Sequence, residues 1–144
     1  LELISTYQGA ILIYAGLITP FSVYLLTTFF RTLPKELFEA ARIDGAGDFL
    51  ILWRIVLPLS LPALLTLVVV NALYVWNDLL IAVLFLQDDA KRTLMAGISV
   101  FQGRYENQIP LVMAGMVVAS APMMILYIAF QKYFIRGLMA GAVK

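Results

Sequence analysis

The chain contains no cysteine and no histidine among its 144 residues. Without cysteine there is no disulfide, no thiolate metal site and no thiol nucleophile. Without histidine, an imidazole-based triad or zinc site is impossible in this chain alone. Charge is scarce as well: Asp, Glu, Lys and Arg make up 13% of the residues, against about 25% in soluble domains. Ten Lys and Arg stand against nine Asp and Glu, a formal charge of +1, so there is no basic surplus for nucleic acid. No Gly-x-x-x-x-Gly-Lys-Ser/Thr occurs in the sequence, so it has no nucleotide-binding loop of that type. What it has is apolar surface. Residues of the AVILMFWYC set reach 62% and the mean hydropathy is +0.93. That excludes disorder and points away from a water-soluble enzyme domain towards a membrane protein.

Charges punctuate the chain. Residues 3–30 form an uncharged run of 28, residues 55–77 one of 23, and residues 107–131 one of 25. A helix rises about 1.5 Å per residue and the hydrocarbon layer is about 30 Å thick, so about 20 residues suffice to cross it. Three transmembrane helices are expected, over 9–30, 60–82 and 110–132. An unpaired backbone group in hydrocarbon costs several kcal/mol, which overrides the β-preference of Val68, Val69 and Val70. The second span has an apolar continuation beyond Asn77 and Asp78, which fits either a tilted helix or a break near Trp76–Asp78. Cations set the orientation. Arg31, Lys35, Arg42 and Arg54 lie between the first two spans, and Lys132, Arg136 and Lys144 follow the third. Lys91, Arg92 and Arg104 lie between the last two. Seven against three places the 31–58 loop and the C-terminus in the cytoplasm and the N-terminus outside. The chain opens on Leu1 without a charged leader, as a piece of a larger protein or a shortened gene product would.

The 31–58 loop carries the information. Pro34 suits a helix start, with Glu36 and Glu39 in the first turn, where the dipole favours them. Leu37, Ala40 and Ala41 fall at i, i+3 and i+4 and form a small apolar face. Gly45 stands just past the helix end, where a positive φ is cheap only for glycine. Asp48 is placed to cap a second helix leading back to the membrane. The outcome is helix, sharp turn, helix. Its alanine face, flanked by Glu39 and Arg42, fits either docking into a groove of a partner protein or lying on lipid.

Glu39-Ala40-Ala41, three residues, Gly45, nine residues, then Ile55, Leu57 and Pro58 resembles the EAA motif. That motif marks the integral permease subunits of binding-protein-dependent ABC importers. Ile43-Asp44-Gly45-Ala46, Trp76-Asn77-Asp78 and the ending Gly137–Lys144 are similar to the carbohydrate-uptake, maltose-permease-like branch, in its C-terminal half, over essentially all 144 residues. The resemblance implies an all-α membrane protein: three transmembrane helices plus a cytoplasmic coupling-helix loop, half of a six-helix permease domain. It implies that Glu39, Ala40, Ala41 and Gly45 contact a cytoplasmic ABC ATPase. ATP and Mg would sit on that partner, with no cofactor bound by this chain. Further implied partners are a second permease subunit and an extracytoplasmic solute-binding protein, besides membrane lipid. The external loop, about 87–109, would touch the binding protein.

Polar residues in or near the second span have two readings. Asn71, Trp76 and Asn77 suit a sugar path, since amides bond hydroxyls and an indole face stacks on a pyranose. They equally suit helix–helix hydrogen bonding with an interfacial anchor. Asp78 is too costly for mid-bilayer, at about 2.5–3.5 kcal/mol, and belongs near the outer interface or a wet cavity. Gly115 and Ala119, four apart, suit close helix packing, and Pro20 and Pro122 suit kinks. The leading expectation is a permease subunit of an ATP-driven importer of a sugar or sugar-like solute. A secondary transporter or channel fragment would need paired intramembrane charges and matched broken helices. A truncated permease unable to assemble is the other alternative.

Overall fold

The computed structural model describes the backbone of residues 3–101 and 109–142, and side chains as far as Gln131. Among the described residues every regular element is a helix, as an all-α membrane protein requires. The long first helix, α1, spans Tyr7–Phe30. It is followed by α2, Lys35–Ile43, and α3, Asp48–Leu59, which is bent by 69° against α4, Leu61–Asn77. Then come α5, Leu80–Phe85, a 3-10 turn at Asp89–Lys91, α6, Leu94–Val100, and α7, Ile109–Ala142. Two compact units emerge from the packing: the described residues of 1–19 with 70–129, and those of 20–69 with 130–144.

Length and composition explain the long helices. The 24 residues of α1 rise about 36 Å, enough to cross about 30 Å of hydrocarbon. Thr6 starts the helix, its hydroxyl accepting from the Gly9 N–H at 3.2 Å, which satisfies one of the orphan donors. Both α1 and α7 continue through an internal proline, Pro20 and Pro122. The part of α7 with described side chains, Ile109–Gln131, is itself long and apolar enough to cross.

The corner between α3 and α4 has a local cause. Pro62 cannot donate to the Pro58 carbonyl, and its ring crowds that carbonyl. It also biases Leu61 against the helical region. The helix therefore closes at Ser60 (φ −85°, ψ 0°). Ser60 is fully buried, and its hydroxyl donates to the Val56 carbonyl at 2.6 Å. Just before the corner, Leu52–Val56 forms a π-turn. In a regular α-helix residues five apart point about 140° away from each other. The wider turn returns Ile51 and Val56 to one side, and both are buried with Ala41 in a single cluster.

At its other end α4 stops at Asn77. Of the two forms open for the second span, the structure takes the break, with Asp78 and Leu79 outside any helix. The small-residue positions of α7 do pack closely. Val112 and Ala119 are buried against Ile98 of α6, and a Cβ on Gly115 would meet the Ile98 side chain at 3.0 Å.

Candidate functional site

The elbow between α2 and α3 is built by its backbone. Pro34 stands one residue before α2 in an extended conformation, so the helix proper opens on Lys35. At the far end, Gly45 has φ +79°. Its N–H donates to the Arg42 carbonyl at 3.0 Å, and the Ala46 N–H donates to the Ala41 carbonyl at 2.9 Å. This pair of bonds is a Schellman closure with glycine at its left-handed position. A Cβ at Gly45 would meet nothing within 4 Å, so the demand for glycine is conformational and not steric. Ala46 packs back against the cluster of Ala41, Ile51 and Val56, with Phe30, Leu33 and Phe38 around it. The closure sets the turn between α2 and α3.

The structure separates the residues expected to act together. Glu39 and Ala40 are exposed. Ala41 is 8% exposed and points into the cluster. Ala40 and Ala41 therefore do not floor one outward face. The outward side consists of Glu36, Leu37, Glu39, Ala40 and Ile43, all exposed, while Ala41 seats the helix on α3. Its small side chain permits that close seating. Asp48 does not cap α3. Gly47 occupies the cap position, and Asp48 instead pairs with Arg42 across the turn at 3.2 Å. Both side chains are largely exposed, so the pair adds little stability.

The residues considered for a solute path belong to the other unit. Trp76 turns its indole N–H to the Ala119 carbonyl of α7 at 3.0 Å, so its polar handle serves helix–helix contact. Asn77 donates to the Leu73 carbonyl one turn back at 2.8 Å. It also lines a cleft of about 360 Å³ with Met95, Met116, Ser120, Met123 and Tyr127. Asn71 is half-buried on α4 and does not line this cleft. A larger cleft, about 690 Å³, lies between α6 and α7 with Arg92 and Asp89 among its lining residues.

Sequence reasoning missed Tyr14. This buried residue of α1 donates its hydroxyl to Asp78 at 2.9 Å. The same carboxylate oxygen accepts from the N–H groups of Ile81 at 2.9 Å and Ala82 at 3.3 Å. A carboxylate in a span needs such donors, and the tyrosines of the first apolar run were the signal available. In the segment after α5, the Ala90 N–H and then Lys91 hold the Asp88 carboxyl below the ordinary carboxylate range. Gln102–Asn107, the second half of the expected external contact, lies outside the described residues, as do the side chains of the 137–144 ending. Among the described residues no cluster of side chains could hold a metal ion.

Comparison with known proteins agrees with this architecture. Residues 2–139 match the family described as "Binding-protein-dependent transport system inner membrane component". The chain is 43% identical over 143 residues to the melibiose/raffinose/stachyose import permease protein MelC of Bacillus subtilis, covering 99% of this chain and 52% of that protein. It is 41% identical over 143 residues to the trehalose/maltose transport system permease protein MalG of Thermococcus litoralis, covering 98% and 51%. The probable ABC transporter permease protein YurM of Bacillus subtilis is 38% identical over 144 residues, covering 100% and 48%. The chain spans about half the length of these curated relatives. With helices as the regular elements among its described residues, apolar spans, a glycine-closed elbow and a match along nearly its whole length, the chain belongs to the inner-membrane components of binding-protein-dependent transport systems.

Proposed function

We propose that this chain forms part of the permease of an ATP-driven importer for a sugar or sugar-like solute. The observation that carries the proposal is the elbow. Its helix α2 is seated inward by Ala41 and presents Glu36, Leu37, Glu39 and Ala40 outward. That is a short rigid surface with an apolar centre and an acidic edge, suited to a groove on a partner. Relatives named as permeases for melibiose, raffinose and stachyose, and for trehalose and maltose, support the carbohydrate assignment. The partner at the elbow is a cytoplasmic ABC ATPase, which carries ATP and Mg. A second permease subunit completes the path, and a solute-binding protein delivers the solute from outside.

In this reading Glu39 and Ala40 touch the ATPase directly. Ala41 and Gly45 act by holding α2 in place. The cation distribution puts the elbow and the C-terminus in the cytoplasm and the N-terminus outside. Asp78 and Tyr14 then fall towards the outer end of the spans, and the cleft lined by Asn77 and Ser120 is the candidate stretch of path. The Asn77 amide and the Ser120 and Tyr127 hydroxyls bond sugar hydroxyls, while the methionines adapt to shape. Trp76 stays a structural anchor.

The chain has no cysteine of its own, so a cysteine at position 40 is unique within it. In the assembled transporter, Ala40→Cys is expected to crosslink to a cysteine placed in the ATPase cleft, with nucleotide changing the yield. Labelling of that position only from the external face, or no crosslink to any ATPase position, overturns the proposal.

A further inference from the structure

The helix α3 carries an unassigned surface. Phe49 and Trp53, four apart, place their rings 6.1 Å from each other. They are 75% and 57% exposed. The π-turn that sends Ile51 and Val56 inward leaves this aromatic pair on the outside. Leu50 and Leu52 beside it are also exposed, as is Arg54, the next residue along. So large an apolar area on a soluble surface would be costly and would mark an interaction site.

The corner at Ser60 indicates what covers it. The next helix, α4, is 17 residues long and mostly apolar, and it rises about 26 Å, close to the hydrocarbon thickness. A bend of 69° separates it from α3. With α4 upright, α3 lies about 20° from the membrane plane, and ordinary span tilts of about 20° keep it near that plane. The chain therefore leaves the bilayer and turns along its surface. Aromatic rings with one apolar and one polar side concentrate at that level, and the arginine reaches lipid phosphate while its stem stays in the apolar layer. Leu61 and Val68 of α4 are exposed apolar residues as well.

We propose that α3 is a membrane-surface helix, with Phe49 and Trp53 sunk into the boundary between headgroups and acyl chains and Arg54 on lipid phosphate. The helix anchors the outer limb of the elbow, leaving α2 as the element that faces the cytoplasm. The proposal rests on membrane placement alone and holds whether or not an ATPase grips α2.

The test uses the assembled transporter, with cysteine-free partner subunits, in phosphatidylethanolamine and phosphatidylglycerol vesicles. Spin labels are placed at Phe49→Cys and Trp53→Cys, and at Asp44→Cys in the turn for comparison. The labels at 49 and 53 are expected to collide several-fold more with oxygen than with a water-soluble nickel complex, at a depth of roughly 5–10 Å below the headgroups. The label at 44 is expected to show the reverse preference. Nickel dominance at 49 and 53 overturns the proposal, as does protection from both reagents, which would mean coverage by a partner protein. A second measurement leaves Phe49 and Arg54 intact. Tryptophan emission of the parent and of Trp53→Phe is compared in lipid brominated near the headgroup, and the Trp53 contribution is expected to be quenched there and spared by aqueous iodide. Quenching by iodide alone overturns the proposal.

Discussion

The elbow and the Tyr14–Asp78 region solve opposite problems with opposite means. The elbow, residues 34–60, is shaped by backbone: a left-handed glycine, a Schellman closure, a π-turn and a proline-enforced corner. Its charged side chains are left outward, and the Arg42–Asp48 pair sits in the open. In the other unit, polar side chains are spent on the protein. Tyr14 meets Asp78, Trp76 meets Ala119, and Asn77 meets Leu73. Among the described residues no buried side-chain nitrogen or oxygen lacks a partner. Where water or a partner protein is at hand, polarity can be displayed and shape is held by the main chain. Where the surroundings are apolar, each polar group needs an internal partner, and those bonds hold the helices together.

This contrast can be broken experimentally, and the largest effect should come from the backbone device. Gly45→Val forces a β-branched residue to φ +79°, at a cost of about 1–2 kcal/mol or more. In the assembled transporter it is expected to lower uptake by about an order of magnitude while ATP hydrolysis persists, read as solute transported per ATP consumed. Full coupling would show that the turn needs no glycine.

Next comes Asp78→Leu, which strands the Tyr14 hydroxyl and two N–H groups. The expected loss is about 1–3 kcal/mol, seen as a lower thermal midpoint in nanodiscs, with Asp78→Asn milder because an acceptor remains. Smaller again are Tyr14→Phe and Trp76→Phe, each removing one bond worth about 0.6 kcal/mol in such settings. Tyr14→Phe should add almost nothing on top of Asp78→Leu, and an additive double variant would deny that the two residues are coupled. Arg42→Gln should sit near the bottom, within about 0.5 kcal/mol, since both partners are exposed. Asp88 supplies a pH arm. Its carboxyl is held low when folded, so its contribution is present above the ordinary value of about 3.9 and fades as pH falls through the folded one. Asp88→Asn should lower the thermal midpoint slightly at neutral pH, remove its acid-side dependence, and leave the midpoint nearly unchanged in acid, where the contribution has already faded.

Much of the architecture was legible because lipid leaves few options. The uncharged runs around α1 and α7 could only be helices, and Gly45 beyond an amphipathic stretch announced a left-handed stop. The side of α2 that faces inward was not legible. Helical spacing groups Leu37, Ala40 and Ala41, but the division between Ala40 outside and Ala41 inside depends on where Ile51 and Val56 come to rest. That depends on a π-turn, for which Leu52–Val56 carries no local signature. The partner of Asp78 was hidden for a similar reason, since Tyr14 is 64 residues away and nothing in the spacing selects it over Tyr7 or Tyr24. Trp76 has an indole face fit for a sugar and an N–H fit for a carbonyl, and nothing in the spacing shows that the N–H meets the Ala119 carbonyl of α7.

The corner at Ser60 has a mechanical consequence. Two stiff rods joined at 69° form a bell crank, with the Asp48–Leu59 rod as an arm of about 17 Å. Each ångström of thrust across the tip of that arm swings the other rod by about 3° about the joint. In the proposed transporter such a lever needs no long stroke from the ATPase, and play in the joint would waste the motion before any loss of binding did.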